Sequence, residues 1–135
     1  DEVKLTSEKL FELSKQNKNI KIVNKYCDYN EYRKILENIT IMPFMYDPEH
    51  MNNTNSGIIY SCVSNEIIPI LPLNCDYLKK ILSTNSFLEA DNIDSFADKI
   101  NDIADNYNFF LNNAKISSKN FSDIINNGEI VRNIT

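Results

Sequence analysis

At 135 residues, with 42% hydrophobic and 24% charged positions, the chain is long enough for one globular domain around a single core. Its formal net charge of -5 argues against a general nucleic-acid binder, whose affinity rests on Lys and Arg meeting phosphates. No apolar run reaches the roughly 20 residues needed to span a bilayer, and the acidic, polar opening DEVKLTSEKL is unlike a signal peptide; a cytoplasmic protein without a transmembrane segment is expected.

In chain order, Thr6 or Ser7 is the expected N-cap of a first helix, whose apolar stripe of Leu10, Phe11 and Leu13 reaches about Gln16. The β-branched run IKIV at 20–23 predicts a strand. Asp28 or Asn30 is placed to cap a short helix through Leu36, with Tyr29, Tyr32, Ile35 and Leu36 facing inward, and ITIMPF at 39–44 predicts a second strand. After a polar loop, a helix from about Ser56 to Ser64 runs into a strand from Ile67 to Leu71. A short helix at about Asp76 to Leu82 and a strand SFLEA at Ser86 to Ala90 follow. From Asn92 the pattern is helical, with Ile93, Phe96, Ala97, Ile100, Ile103 and Ala104, then Phe121, Ile124 and Ile125, at helical spacing; Gly128 is expected to break the last helices apart.

Strands alternating with helices indicate a single α/β domain over 1–135, a parallel sheet with flanking helices and a helical segment from about 92. Ligands of such sheets bind beyond the carboxyl ends of the strands, which singles out Tyr26 to Asp28, Pro43 to Asn55 and Pro72 to Cys75. Gly57, one of only two glycines, opens a helix directly after a strand and a polar loop. There the missing side chain lets a ligand approach backbone N–H groups and the positive end of the helix dipole. Asn55, Ser56 and Gly57 are therefore the candidate phosphate holders, against the plainer reading of an ordinary cap and a glycine relieving close packing.

Other polar groups admit plain readings too. Asp47, Glu49 and His50 in YDPEHMNN could do acid–base work or simply be solvated. Asp91, Asp94, Asp98, Asp102 and Asp105 read as a solvated helix face and not a cation site. Cys27, Cys62 and Cys75 are odd in number and lack C-x-x-C spacing, which suits reduced, mostly buried thiols; with His50 the sole histidine, neither a metal nor a cofactor is expected.

From about Leu5 onward, the order of elements resembles the second half of the nucleotide-binding C-terminal domain of GT-B glycosyltransferases, in the group 1 family of retaining enzymes. The stretches NIKIVNKYCDYNEYRKILENITIMPF, NSGIIYSCVSNEIIPIL and EADNIDSFADKINDIADN carry the likeness. It implies an incomplete Rossmann-like GT-B domain that holds the diphosphate of a nucleotide-sugar donor at Asn55, Ser56 and Gly57. Thr54, Cys62 and Asp47 are then candidates for donor sugar or ribose contacts, and Tyr26 and Cys27 for contacts to the base. The implied activity is a hexosyltransferase type of polysaccharide biosynthesis, moving a sugar onto a glycan or lipid acceptor.

Several positions depart from the family pattern. Cys62 stands where the family has the Glu that holds the ribose hydroxyls, Thr54 falls at the other family carboxylate, and Ile67 replaces a usual glycine. A thiol is a poor acceptor beside a carboxylate. The family's diphosphate-neutralising Arg and Lys come from elements upstream of residue 1, and neither Arg33 nor Arg132 matches them by position. The chain opens without an initiator Met on a helix-like segment, so the expectation is a piece of a longer protein, inactive alone. A missing N-terminal acceptor domain would complete it and could attach it peripherally to the inner face of a membrane; self-association through exposed apolar sheet surface is the other partner considered. The alternative is a non-catalytic α/β interaction module or pseudoenzyme.

Overall fold

The computed structural model describes residues 2–23, 25–45 and 57–127. It is α/β: α1 (Glu2–Gln16), α2 (Tyr29–Leu36), β1 (Ile41–Pro43), α3 (Gly57–Ser64), β2 (Ile68–Pro72), α4 (Asp76–Lys79), β3 (Leu88–Ala90), α5 (Ile93–Asp105) and α6 (Tyr107–Asn126). Contacts divide the chain into two compact units, one up to Tyr32 and one from Arg33. No helix among the described residues is long and apolar enough to cross a membrane.

The second unit is built on a three-stranded parallel sheet in the order β1-β2-β3, a Rossmann-like arrangement. Ile41 lies opposite Ile68, and Ile70 opposite Leu88, so these four share one face with Ala90. That face packs on Phe96 and Ile103 of α5 and on Phe110 and Ala114 of α6. Met42, Pro69, Leu71 and Glu89 alternate onto the other face, where Cys62 of α3 meets Met42 and Lys79 of α4 meets Glu89. With helices on both faces, every residue of β2 is buried. Tyr60 of α3 stacks on Phe121 of α6, ring centroids 5.6 Å apart.

Two prolines in a central strand would ordinarily argue against it, since each removes a ladder donor. The hydrogen bonds explain their tolerance. Ile68 N–H donates to Thr40 O at 3.0 Å and Phe44 N–H to Ile70 O at 2.8 Å, so even-numbered residues of β2 pair with β1; Leu73 N–H donates to Ala90 O at 2.9 Å, so odd-numbered ones pair with β3. By that alternation a donor at Pro69 would point at residue 86, before β3 starts, and one at Pro72 at residue 44, after β1 ends. Pro43 turns its nitrogen away from β2, to the side of β1 that pairs with no strand among the described residues.

α3 ends in a Schellman motif: Ile67 N–H donates to Cys62 O at 3.0 Å and Glu66 N–H to Val63 O at 3.3 Å. Glu66, at φ 58°, occupies the left-handed position that glycine usually takes, so the residue under strain is one before Ile67. A closed polar node ties α6 to the loop before β3. The Ser117 hydroxyl donates to Ser86 Oγ at 2.9 Å, Ser86 donates to Ser83 O at 2.7 Å, and Ser83 N–H donates to Ser117 Oγ at 2.8 Å, so both buried hydroxyls are satisfied.

Several elements differ from expectation. Residues 20–23 form no strand. α1 starts at Glu2, so Thr6 and Ser7 lie inside the helix and not at its N-cap position. Asp28 does cap α2: its Oδ1 accepts from Glu31 N–H at 2.9 Å, while Glu31 Oε2 takes Asp28 N–H at 3.4 Å, the reciprocal capping box. Of the four expected inward residues of α2 only Leu36 is buried, and Tyr29 is 77% exposed. α4 stops at Lys79, and the last helical break falls at Asn106, with α6 unbroken to Asn126; Gly128 lies outside the described residues. On α5 only Phe96 and Ile103 are buried, a seven-residue spacing continued by Phe110 on α6.

Candidate functional site

The carboxyl ends of the three strands open on a cleft of about 360 Å³, at the place ligands occupy in parallel α/β sheets. Met45, just past β1, Leu73 and Asn74 past β2, and Asp91, Asn92 and Ile93 past β3 form its walls, with Phe96 on α5 behind them. The Leu73–Ala90 hydrogen bond carries the β2–β3 register one step beyond the sheet, setting Leu73–Asn74 beside Asp91–Asn92 although 17 or more positions separate them in sequence.

Local chemistry holds both loops. Asn74 sits at φ 67°, a left-handed turn that asparagine tolerates better than most residues. Asn92 caps α5: its Oδ1 accepts from Ser95 N–H at 2.9 Å, and Ser95 Oγ in return accepts from Asn92 N–H at 3.1 Å. Ser95 Oγ also accepts from Asp91 N–H at 3.0 Å, and Asp91 Oδ1 receives Asn92 Nδ2 at 2.8 Å and the Ser95 hydroxyl at 2.8 Å. The amino end of α5 is thus already occupied by its own side chains. None of the cleft residues is Lys or Arg.

Beside this edge, Lys79 Nζ lies 2.9 Å from Asp76 Oδ1 and 2.6 Å from Glu89 Oε1. The approach to Glu89 is off the hydrogen-bond axis, so that buried oxygen is compensated by charge rather than by a well-aligned donor. Glu89, then Asp76, raise the lysine pKa above its ordinary value. Burial raises the neighbouring Cys75 thiol. No group of three or more His, Cys, Asp or Glu among the described residues could hold a metal ion, and the aspartates 91, 94, 98, 102 and 105 are all exposed.

Gly57 is the first residue of α3 and is exposed. Among the described residues nothing lies within 4 Å of where a Cβ at this position would stand, so packing against them does not account for the glycine. No acidic residue occupies the first turn to neutralise the dipole there. Asp47, Glu49, His50, Thr54, Asn55 and Ser56 lie outside the described residues. Cys62 is fully buried and its Sγ lies 3.4 Å from Met42 Sδ; burial pushes its pKa up to about 12. It therefore faces the core, and a carboxylate substituted there would be buried with it. Tyr26 and Cys27 belong to the first unit and follow no strand; Tyr26 is 91% exposed, and Cys27 is half-buried with its Sγ 3.8 Å from Lys25 O.

Of the loops singled out by sequence, those after Pro43 and Pro72 supply Met45, Leu73 and Asn74 to the cleft. Asp91 to Ile93 were legible only as the start of a solvated helix; their position after a strand was the available signal. No protein-family model, curated protein or solved structure matches the chain.

Proposed function

We propose that the chain is the donor-binding part of a glycosyltransferase of GT-B type, holding the diphosphate of a nucleotide sugar at the amino end of α3 while the acceptor is supplied elsewhere. The carrying observation is the helix start at Gly57, clear of other described residues and with no acidic residue in its first turn, on a helix that flanks a parallel sheet. Backbone N–H groups at 55–57 would take the phosphate oxygens, and the space where a Cβ would stand admits them. Ribose recognition does not fall to Cys62, which faces the core.

That same burial favours a second reading, a non-catalytic α/β module that has kept the fold without the ribose carboxylate. Calorimetric titration of nucleoside diphosphates and nucleotide sugars into the protein separates the two. Because a side chain at 57 has room, Gly57→Val should fold normally yet abolish binding, and Ser56→Ala should weaken it by about 1 kcal/mol, the net worth of one hydrogen bond. Unchanged affinity in Gly57→Val defeats the phosphate assignment; no binding by the unmodified protein leaves the non-catalytic module. Donor and acceptor meet in an interdomain cleft in enzymes of this kind, so sugar transfer by the chain alone would contradict the proposal.

A further inference from the structure

We infer that the cleft walled by Met45, Leu73, Asn74, Asp91, Asn92 and Ile93 binds a neutral polyhydroxylated ligand, a sugar ring in its chemistry. The inference goes beyond the diphosphate reading, since none of these residues belongs to that position. Charge narrows the ligand first. The described lining holds one carboxylate and no Lys or Arg, so an anion would meet Asp91 without a cationic side chain to pair with. A cation is drawn only weakly. Asp91 Oδ1 already accepts two hydrogen bonds, from Asn92 Nδ2 and Ser95 Oγ, and the residue stands against the positive end of the 13-residue α5.

Hydroxyl groups suit what remains. Asn92 engages its Oδ1 with Ser95 N–H and gives one Nδ2 proton to Asp91 Oδ1, so the ligand's partners are the Asn74 amide, both donor and acceptor, and the second oxygen of Asp91, and a hydroxyl is both in turn. Apolar surface supplies the rest: Met45, Leu73 and Ile93 stand 58%, 45% and 74% exposed around these polar groups. Covering that surface is favourable, and the C–H face of a sugar ring is flat and apolar enough to do it while its hydroxyls point sideways. The cleft, at about 360 Å³, falls within the usual range of small-ligand sites.

The test is an amide-resolved NMR titration of the whole chain with methyl glucoside, methyl galactoside and methyl mannoside, with an alkylammonium salt and inorganic phosphate as charged probes. Saturable shifts at residues 73–74 and 90–93 with at least one glycoside are expected. Asn74→Gly keeps the left-handed turn while removing the amide, so it should weaken glycoside binding about fivefold, the worth of one hydrogen bond, with an unchanged unfolding midpoint. Ile93→Ser, at an exposed site, should weaken it with equally little effect on stability. Gly57→Val should leave glycoside shifts intact whatever it does to nucleoside diphosphates, which keeps the two assignments separable. No saturable response to any of the three glycosides, a response to alkylammonium or phosphate alone, or wild-type glycoside affinity in both cleft variants overturns the inference.

Discussion

Two β-branched runs of similar character end differently in this molecule. IIPIL becomes the central strand, with Ile68, Ile70 and Leu71 at 0% exposure, whereas IKIV at 20–23 remains without regular structure, Ile20 and Val23 standing 37% and 44% exposed. Strand propensity is alike in the two. What β2 has is a neighbour on each side to take its hydrogen bonds and helices over each face; the run in the first unit pairs with no strand among the described residues. A strand is a relation between segments more than a property of one.

The sharpest way to break that comparison is by matched truncation. Ile70→Ala should cost about 2–5 kcal/mol in urea unfolding, the range for a large-to-small change in a packed core. Ile20→Ala should shift stability by no more than about 0.5 kcal/mol. Equal losses would mean that the first unit is packed as tightly as the second.

Next in size is the serine node. Ser117→Ala removes the acceptor of Ser83 N–H and the partner of Ser86 Oγ inside the second unit, and should cost about 1–3 kcal/mol. Asn120→Ala, which deletes only the exposed bond to Ser83 Oγ at 3.2 Å, should cost much less. A reversed order in thermal melting would show that the node is not what anchors α6.

Cysteines sharpen the contrast through pH. The folded Cys62 thiol is raised by burial from about 9 to about 12. Below pH 9 both folded and unfolded chains keep the proton and nothing changes; above it the unfolded chain releases a proton that the folded one retains, so stability falls, by roughly 1 kcal/mol per pH unit. Lys79, also raised, adds its own loss only beyond about 10.5, so the window from pH 9 to 10 reports on the two buried thiols, Cys62 and the likewise raised Cys75. Chemical denaturation at these two pH values should show the decline, and Cys62→Ala should reduce it, leaving the part that Cys75 contributes. At pH 8 a thiol reagent should label half-buried Cys27 first, with buried Cys62 and Cys75 slow; equal rates would place Cys62 nearer solvent than this structure does.

The smallest effect is a gain. Glu66→Gly relieves a left-handed residue inside the Schellman turn and should stabilise the second unit by about 1 kcal/mol. A loss would show that the turn relaxes when its side chain is removed.

Much of the architecture was readable from local pattern. The alternation of helices with ITIMPF, IIPIL and SFLEA announced a parallel α/β sheet; Asp28, with Asn30 as the alternative, announced a cap, and Pro43 and Pro72 the strand ends beyond which the cleft opens, because turn chemistry, capping and apolar periodicity are written in neighbouring residues. Tertiary structure alone decided the rest. It left IKIV without a strand partner among the described residues, turned Cys62 inward against Met42, and moved the left-handed strain to Glu66. It also brought Asn74 beside Asp91 through the β2–β3 register. Each of these depends on which distant segment lies opposite, and hydrogen-bond pairing and burial are satisfied between segments, so a reading of one segment at a time cannot contain them.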